Sequence, residues 1–267
     1  MVKLRLHADD LGATLSHSRA IVRCFDAGAL DSASLLVTHR EALPETLELL
    51  ASRPQLGLRL HLNLSEGRPL CPPDRVPLLC RGGALGHNLW SLGWLWLRWG
   101  TALERQLGLE IEAQREAFAS ILKSLGRPAE FAVDCHEHLD LLPFVSRQLR
   151  FGRARAGRRL VYFADLPSRA FWAHRLRACI RPAGARQLWT GTVDPRLLPD
   201  RLARVADVEV LFHPCDLLRR EDVDFLPTRR HREAYLDPAR RLECQLLLDR
   251  APMLRELRSR DRGLTLG

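Results

Sequence analysis

Four clusters of metal- and proton-competent side chains stand at the ends of apolar runs: Asp9-Asp10, His61, His136 with His138, and His213. One carboxylate with two imidazoles is a common ligand set for a catalytic divalent metal, and it leaves positions open for water and substrate. Such a metal lowers the pKa of bound water from about 15.7 towards 7 and polarises a carbonyl. A remaining carboxylate then suits proton removal, and a remaining histidine suits proton delivery to a leaving group. Adjacent carboxylates are costly to bury unpaired, because each loses its water. A metal or a proton-transfer task at Asp9-Asp10 removes that objection. Each residue taken alone has a plainer reading. Asp-Asp serves as a loop or cap, and a lone strand histidine serves as a hydrogen-bonded structural group. His136-Glu137-His138 is more pointed, since a two-residue step on a strand puts both imidazoles on one face.

The elements that must position these groups read as strands alternating with helices. Val2, Leu4, Leu6 and Ala8 alternate with Lys3, Arg5 and His7, a strand pattern that Gly12 breaks. Ser16 is placed to cap a helix running to about Ala27, and Gly28 suits its C-terminal stop. Ser32 to Val37 is a short strand, and Pro44 to Ser52 a helix with proline in its first turn. Over Gly57 to Leu64, leucines at 58, 60, 62 and 64 share one face, and Arg59, His61 and Asn63 share the other. Leu103 to Leu125 is a long amphipathic helix, and Phe131-Ala132-Val133 opens the strand that delivers Asp134 to His138. Strands follow at Leu160 to Phe163, Leu188 to Thr192 and Val208 to Phe212. A basic helical stretch holds Phe171 and Trp172, Leu197 to Ala206 is helical, and the charged tail is helical around Leu242 to Leu248 and Leu254 to Leu257. This alternation predicts a single α/β domain with a mainly parallel sheet, and polar clusters at strand ends match where barrel active sites are built.

Composition narrows the class. The length, 267 residues, suits one α/β barrel. The seven cysteines are scattered and form no CxxC pair, which argues for reduced thiols rather than a zinc ribbon or disulfide framework. Residues 1 to 8 alternate in charge rather than forming an apolar leader, and no run has the length of a membrane span. These features predict a cytoplasmic protein. The net charge of +9 is almost wholly arginine, with Lys3 and Lys123 the two lysines. The arginines are spread along the chain and no nucleic-acid module accompanies them, so nucleic acid is not expected as a partner. Residues 71 to 100 read as an insertion carrying four of the six tryptophans, in Leu89-Trp90-Ser91-Leu92-Gly93-Trp94-Leu95-Trp96-Leu97-Arg98-Trp99. A helical lid packed on the core, a lid stacked on a sugar or lipid, and an interfacial anchor all remain open for it.

Five segments together resemble the YdjC-like carbohydrate deacetylases of the ChbG/HpnK type. His7-Ala8-Asp9-Asp10-Leu11-Gly12 is similar to the family's ADDFG opening, and Leu58 to Leu70 resembles its GLHLNLTEGRPL segment. Glu110-Ile111-Glu112-Ala113-Gln114, Asp134 to Pro143 and Val208 to Pro214 resemble the EI-x-AQ, D-S-H-x-H-x-H-x-x-P and E-x-x-x-HPG segments, in the same order. The third histidine of the family's run is Asp140 here, the glycine after His-Pro is Cys215, and an R-x-P-x-E segment is not recognisable around Arg158 to Phe163.

The resemblance implies a distorted TIM-like (β/α) barrel covering residues 1–267 as a single domain. It implies a hydrolase of a linear amide bond that removes acetate from an N-acetylated amino sugar, either a chito-oligosaccharide or a glycolipid. By position, Asp10, His61 and His136 would bind a divalent metal, with Mg2+ or Zn2+ the favoured ions and manganese or cobalt compatible. Asp9 would be the general base and His213 the general acid. Asp9 and Asp10 are exchangeable in this reading, His138 is the alternative ligand to His136, and Asp134 would stand behind the ligands. Peripheral membrane contact and a homodimer stay open. The alternatives are a non-catalytic sugar-binding relative and a metal hydrolase of another amide or ester.

Overall fold

The computed structural model describes residues 3–149, 158–166, 186–203, 207–216, 218–226 and 228–262. The expected basic helix with Phe171 and Trp172 lies outside these residues, as does Cys179; the other six cysteines are free thiols.

Seven parallel strands form the main sheet: β1 (Lys3–Leu11), β2 (Ser32–Leu35), β3 (Gly57–Leu62), β6 (Val133–Cys135), β7 (Arg158–Ala164), β8 (Arg186–Thr192) and β9 (Asp207–Phe212). A small antiparallel pair, β4 (Cys80–Arg81) and β5 (Ala84–Leu85), stands apart. The spatial order β6-β3-β2-β1-β9-β8-β7 is the cyclic order of a barrel with the closure between β6 and β7 missing among the described residues. The sheet is strongly curled. Arg59 on β3 reaches Glu209 on β9 at 2.5 Å, with β2 and β1 between them. On a flat sheet three strand spacings would separate the two backbones by roughly 14 Å. The single α/β domain is therefore a half-barrel, as a distorted TIM-like fold requires.

Strand alternation sorts the side chains. Leu4, Leu6 and Ala8 of β1, Leu60 and Leu62 of β3, and Val208, Val210 and Phe212 of β9 are buried in one apolar core. Helices α1 (Leu15–Asp26), α2 (Leu43–Ala51) and α3 (Leu89–Ser124) contribute Ile21, Leu50 and Phe118 to it. The opposite face is polar. Arg5 pairs with Asp207 and Glu209, Arg59 with Glu209 and Asp134, and His7 lies between Ser32 and Ser34. Glu209 is buried, and two arginines offset its charge.

The helices extend the sequence expectation. Thr14, not Ser16, caps α1, its hydroxyl accepting from the His17 amide. The expected helix from Leu103 is the second limb of α3; the first limb takes in the tryptophan run, and the two meet at a kink at Gly100 (φ 41, ψ −113). Beyond β6 come α4 (Pro143–Gln148), α5 (Leu198–Leu202), α6 (Arg229–Tyr235), α7 (Pro238–Asp249) and α8 (Ala251–Arg262). No described helix is long and apolar enough to cross a membrane.

Candidate active site

The strand ends bring Asp10, His61 and His136 together, and one ligand atom from each lies within 4.8 Å of the others. Asp10 Oδ1 is 3.4 Å from His61 Nε2 and 3.1 Å from His136 Nδ1, and those two nitrogens are 3.2 Å apart. Asp10, the penultimate residue of β1, lies in the left-handed region (φ 67), a conformation that costs a non-glycine residue about 1–3 kcal/mol. Among the described residues the other non-glycine positive φ values are at Glu137 and His138, both 54° and one and two residues after His136. Backbone strain in the described chain therefore gathers at this one site.

Each ring is held from behind. His61 Nδ1 donates to Asp134 Oδ1 at 2.6 Å, which leaves the Nε2 lone pair directed at Asp10. His136 Nε2 faces Glu66 Oε1 at 3.3 Å, and the Tyr235 hydroxyl donates to that same oxygen at 2.5 Å. Arg240 on α7 donates to Asp10 Oδ2 at 2.7 Å, while buried Oδ1 has no hydrogen-bond partner. Burial alone would raise the Asp10 carboxyl and is the largest single influence, but Arg240, His136 and His61 together outweigh it and hold the carboxyl well below the usual range. Burial likewise opposes charge on His61 and His136. The acids around them prevail, lifting His61 to about 9 and His136 well above its usual value. Surroundings that hold a proton on both imidazoles also favour a cation in the protons' place. The orphaned Oδ1, the converging lone pairs and the N/O donor set fit a divalent metal.

Beside this cluster, Asp9 Oδ2 lies 4.0 Å from His213 Nε2. Burial pushes His213 down to about 4, so its ring is neutral at pH 7. The His213 backbone N–H donates to buried Glu243 of α7, which fixes the start of the His213-Pro214 turn. A second cluster, His7 with Asp9 and Asp134, is a hydrogen-bonded network. Ser34 donates to Asp134, so its oxygen accepts from His7 Nε2–H at 2.7 Å, and His7 Nδ1 accepts from Ser32 at 2.7 Å.

His138 belongs to neither cluster. β6 stops at Cys135 and His136–Leu141 is a 3-10 turn, so the strand step expected to align His136 and His138 does not occur. Asp134 stands behind His61 as the resemblance implied. Residue type and spacing give no sign of the parts played by Glu66, Tyr235 and Arg240. Glu243 carried a signal: it shares a buried helix face with Ala239 and Leu247, where a charged residue is unexpected.

Comparison with known proteins places this arrangement. The family model described as YdjC-like protein matches residues 3–251. The chain belongs to the YdjC-like family. A chitooligosaccharide deacetylase from Proteus mirabilis (strain HI4320) is 32% identical over 143 residues, which are 52% of this YdjC-like chain and 50% of that protein. A carbohydrate deacetylase from Mus musculus is 34% identical over 207 residues, 71% of this chain and 64% of the mouse protein. The chain spans about half the length of the curated relatives it matches. A solved structure from Enterococcus faecalis V583, provisionally described as a cellobiose-phosphate cleavage protein, superposes with a TM-score of 0.63. It covers 96% of this chain and 95% of its own at 18% identity, a likeness of fold alone.

Proposed function

We propose that this YdjC-like chain removes the acetyl group from an N-acetylated amino sugar, carried on an oligosaccharide or a glycolipid. The observation that carries the reading is the unpartnered Asp10 Oδ1 between two acid-backed imidazoles, with the Asp9–His213 pair alongside. The deacetylase names of relatives that share the family supply the substrate class.

Asp10, His61 and His136 would hold a divalent metal, Mg2+ or Zn2+. Bound there, such an ion polarises the acetamide carbonyl and makes water acidic enough to attack at neutral pH. The chain's own residues handle the protons. Asp9 accepts a proton from the attacking water as its oxygen bonds to the carbonyl carbon. His213 is neutral at rest and donates only after it has received a proton; Asp9 Oδ2 lies 4.0 Å away, a gap that one relaying water would bridge to hand on the proton Asp9 took up. His213 then protonates the sugar nitrogen as the C–N bond breaks, so acetate and a free amine leave. Arg240 keeps Asp10 ionised, and Asp134 and Glu66 keep lone pairs of His61 and His136 turned inward.

The test is acetate release from N-acetylglucosamine oligomers and from N-acetylated glycolipids, before and after chelation and metal return. The reading expects acetate that disappears with the chelator and returns with metal. Sugar binding without acetate would instead make the chain a binding protein, and release of another acyl group would make it a different amide or ester hydrolase.

A further inference from the structure

The first limb of α3 carries an apolar face that none of the described residues covers. Trp90, Trp94 and Leu97 stand at i, i+4 and i+7, so they form one stripe, and they are 66%, 63% and 78% exposed. The opposite side of the same limb is well packed: Leu89 and Leu92 are buried, and the Trp96 ring stacks on Phe144 at 5.3 Å between centroids. The limb is therefore firmly seated, and its outer aromatics are not spare core residues. Trp99, 46% exposed, lies at the end of the limb under the Arg98 guanidinium, 4.8 Å from its ring centroid.

Charge indicates what covers this face. From residue 75 to 105 the chain carries Arg75, Arg81, Arg98 and Arg105 against one acid, Glu104. Glu104 is already taken by Trp96 Nε1 at 2.7 Å and by Arg147 at 2.7 Å. Arg75 and Arg105 line a groove with Glu112 and Glu116, whereas Arg81, near His87 at the start of the limb, and Arg98 at its end are exposed, and no ion pair joins either to a described residue. An apolar aromatic stripe within a cationic segment suits an anionic bilayer surface, where indole rings sit at headgroup level and guanidinium groups meet lipid phosphate. A second copy of the chain would set these same cations against each other. At about 1.5 Å per residue the limb is roughly 16 Å long, too short to cross a bilayer core of about 30 Å, so it lies in the interface plane.

We propose that this face docks the protein on an anionic lipid surface, with Trp90, Trp94 and Leu97 as the inserted residues. The limb rests on the segment that follows His136, through Trp96 on Phe144 and Gly93 beside Leu142. The inference concerns where the protein sits and stands whether or not the deacetylase reading holds.

The test is co-sedimentation of the purified full chain with vesicles of phosphatidylglycerol mixed with phosphatidylcholine, and with vesicles of phosphatidylcholine alone. The expected result is pelleting with the anionic vesicles, about tenfold weaker in phosphatidylcholine or high salt, with tryptophan emission quenched by brominated lipid. The Trp90→Ser/Trp94→Ser/Leu97→Ser variant loses that binding at an unchanged melting temperature. If this variant does not fold, Arg81→Glu/Arg98→Glu replaces it, with binding again lost. Three results would overturn the proposal: no pelleting with anionic vesicles at low salt, equal pelleting of a folded variant, or a solution dimer that disappears with the tryptophans.

Discussion

An acid stands behind each imidazole of the proposed ligand set: Asp134 behind His61 and Glu66 behind His136. Such partners fix ring orientation and tautomer, and losing one typically weakens metal affinity about 10–100-fold. Glu66→Gln is expected to fall in that range in a competition titration against a chromophoric chelator, with the fold intact. Unchanged affinity would remove Glu66 from the metal centre. Glu243 gives a pH signature instead. Burial pushes its carboxyl up to about 8, against the hydrogen bond from the His213 amide. Between the ordinary value of about 4.3 and about 8, the folded chain keeps a proton that the unfolded chain has lost. Stability contributed by this group therefore falls as pH rises through that window. Glu243→Gln, neutral throughout, is expected to flatten the slope of melting temperature against pH; an unaltered slope would contradict the assignment. The strand-end residues Asp9, Asp10, His61, His136 and His213 were legible because their types stand out at the ends of apolar runs. Glu66 and Arg240 were not, because a turn and a distant helix bring them in, and Arg240 meets Asp10 from 230 positions away.

At the scale of elements, the turn after β1 decides where the two aspartates point. Gly12 has φ 82, and a Cβ there would lie 3.0 Å from Leu35 Cδ1 and 3.1 Å from the Leu36 carbonyl oxygen. Gly12→Ala therefore combines left-handed strain with a contact against backbone, and about 1–3 kcal/mol of lost stability is expected in urea unfolding. A loss near zero would mean that the turn is looser than it looks. The 3-10 turn after β6 shows where periodicity misleads. The two-residue step from His136 to His138 had a strand's meaning in sequence, but Glu137 and His138 adopt positive φ. No local propensity signals that departure. The kink at Gly100 is different: a helical lid is one reading of the tryptophan run, and the structure makes it the first limb of the helix whose second limb the apolar spacing predicts.

At the scale of the molecule, alternating strands and helices were enough to expect a parallel sheet in one α/β domain. The curl that brings the strand ends together was not readable locally, because it depends on β1 pairing with both β2 and β9. The polar inner face, with Glu209 between Arg5 and Arg59, follows from that long-range pairing. The proposed ligands arrive on β1, on β3 and just after β6, so a bound metal would tie these three strands of the half-barrel together. A ligand that binds only the folded state raises its stability. Chelation is therefore expected to lower the melting temperature of the wild-type chain and to leave Asp10→Asn unmoved; a chelator-insensitive wild-type chain would argue against a bound metal.

The account stands most directly on the division of labour between the two adjacent aspartates. The decisive measurement is metal bound per chain in Asp10→Asn and Asp9→Asn, taken with acetate release from N-acetylglucosamine oligomers. Asp10→Asn should lose the metal and the activity with it. Asp9→Asn should keep the metal and lose turnover. The reverse result would exchange the two roles, and variants that both keep metal and full activity would contradict the account.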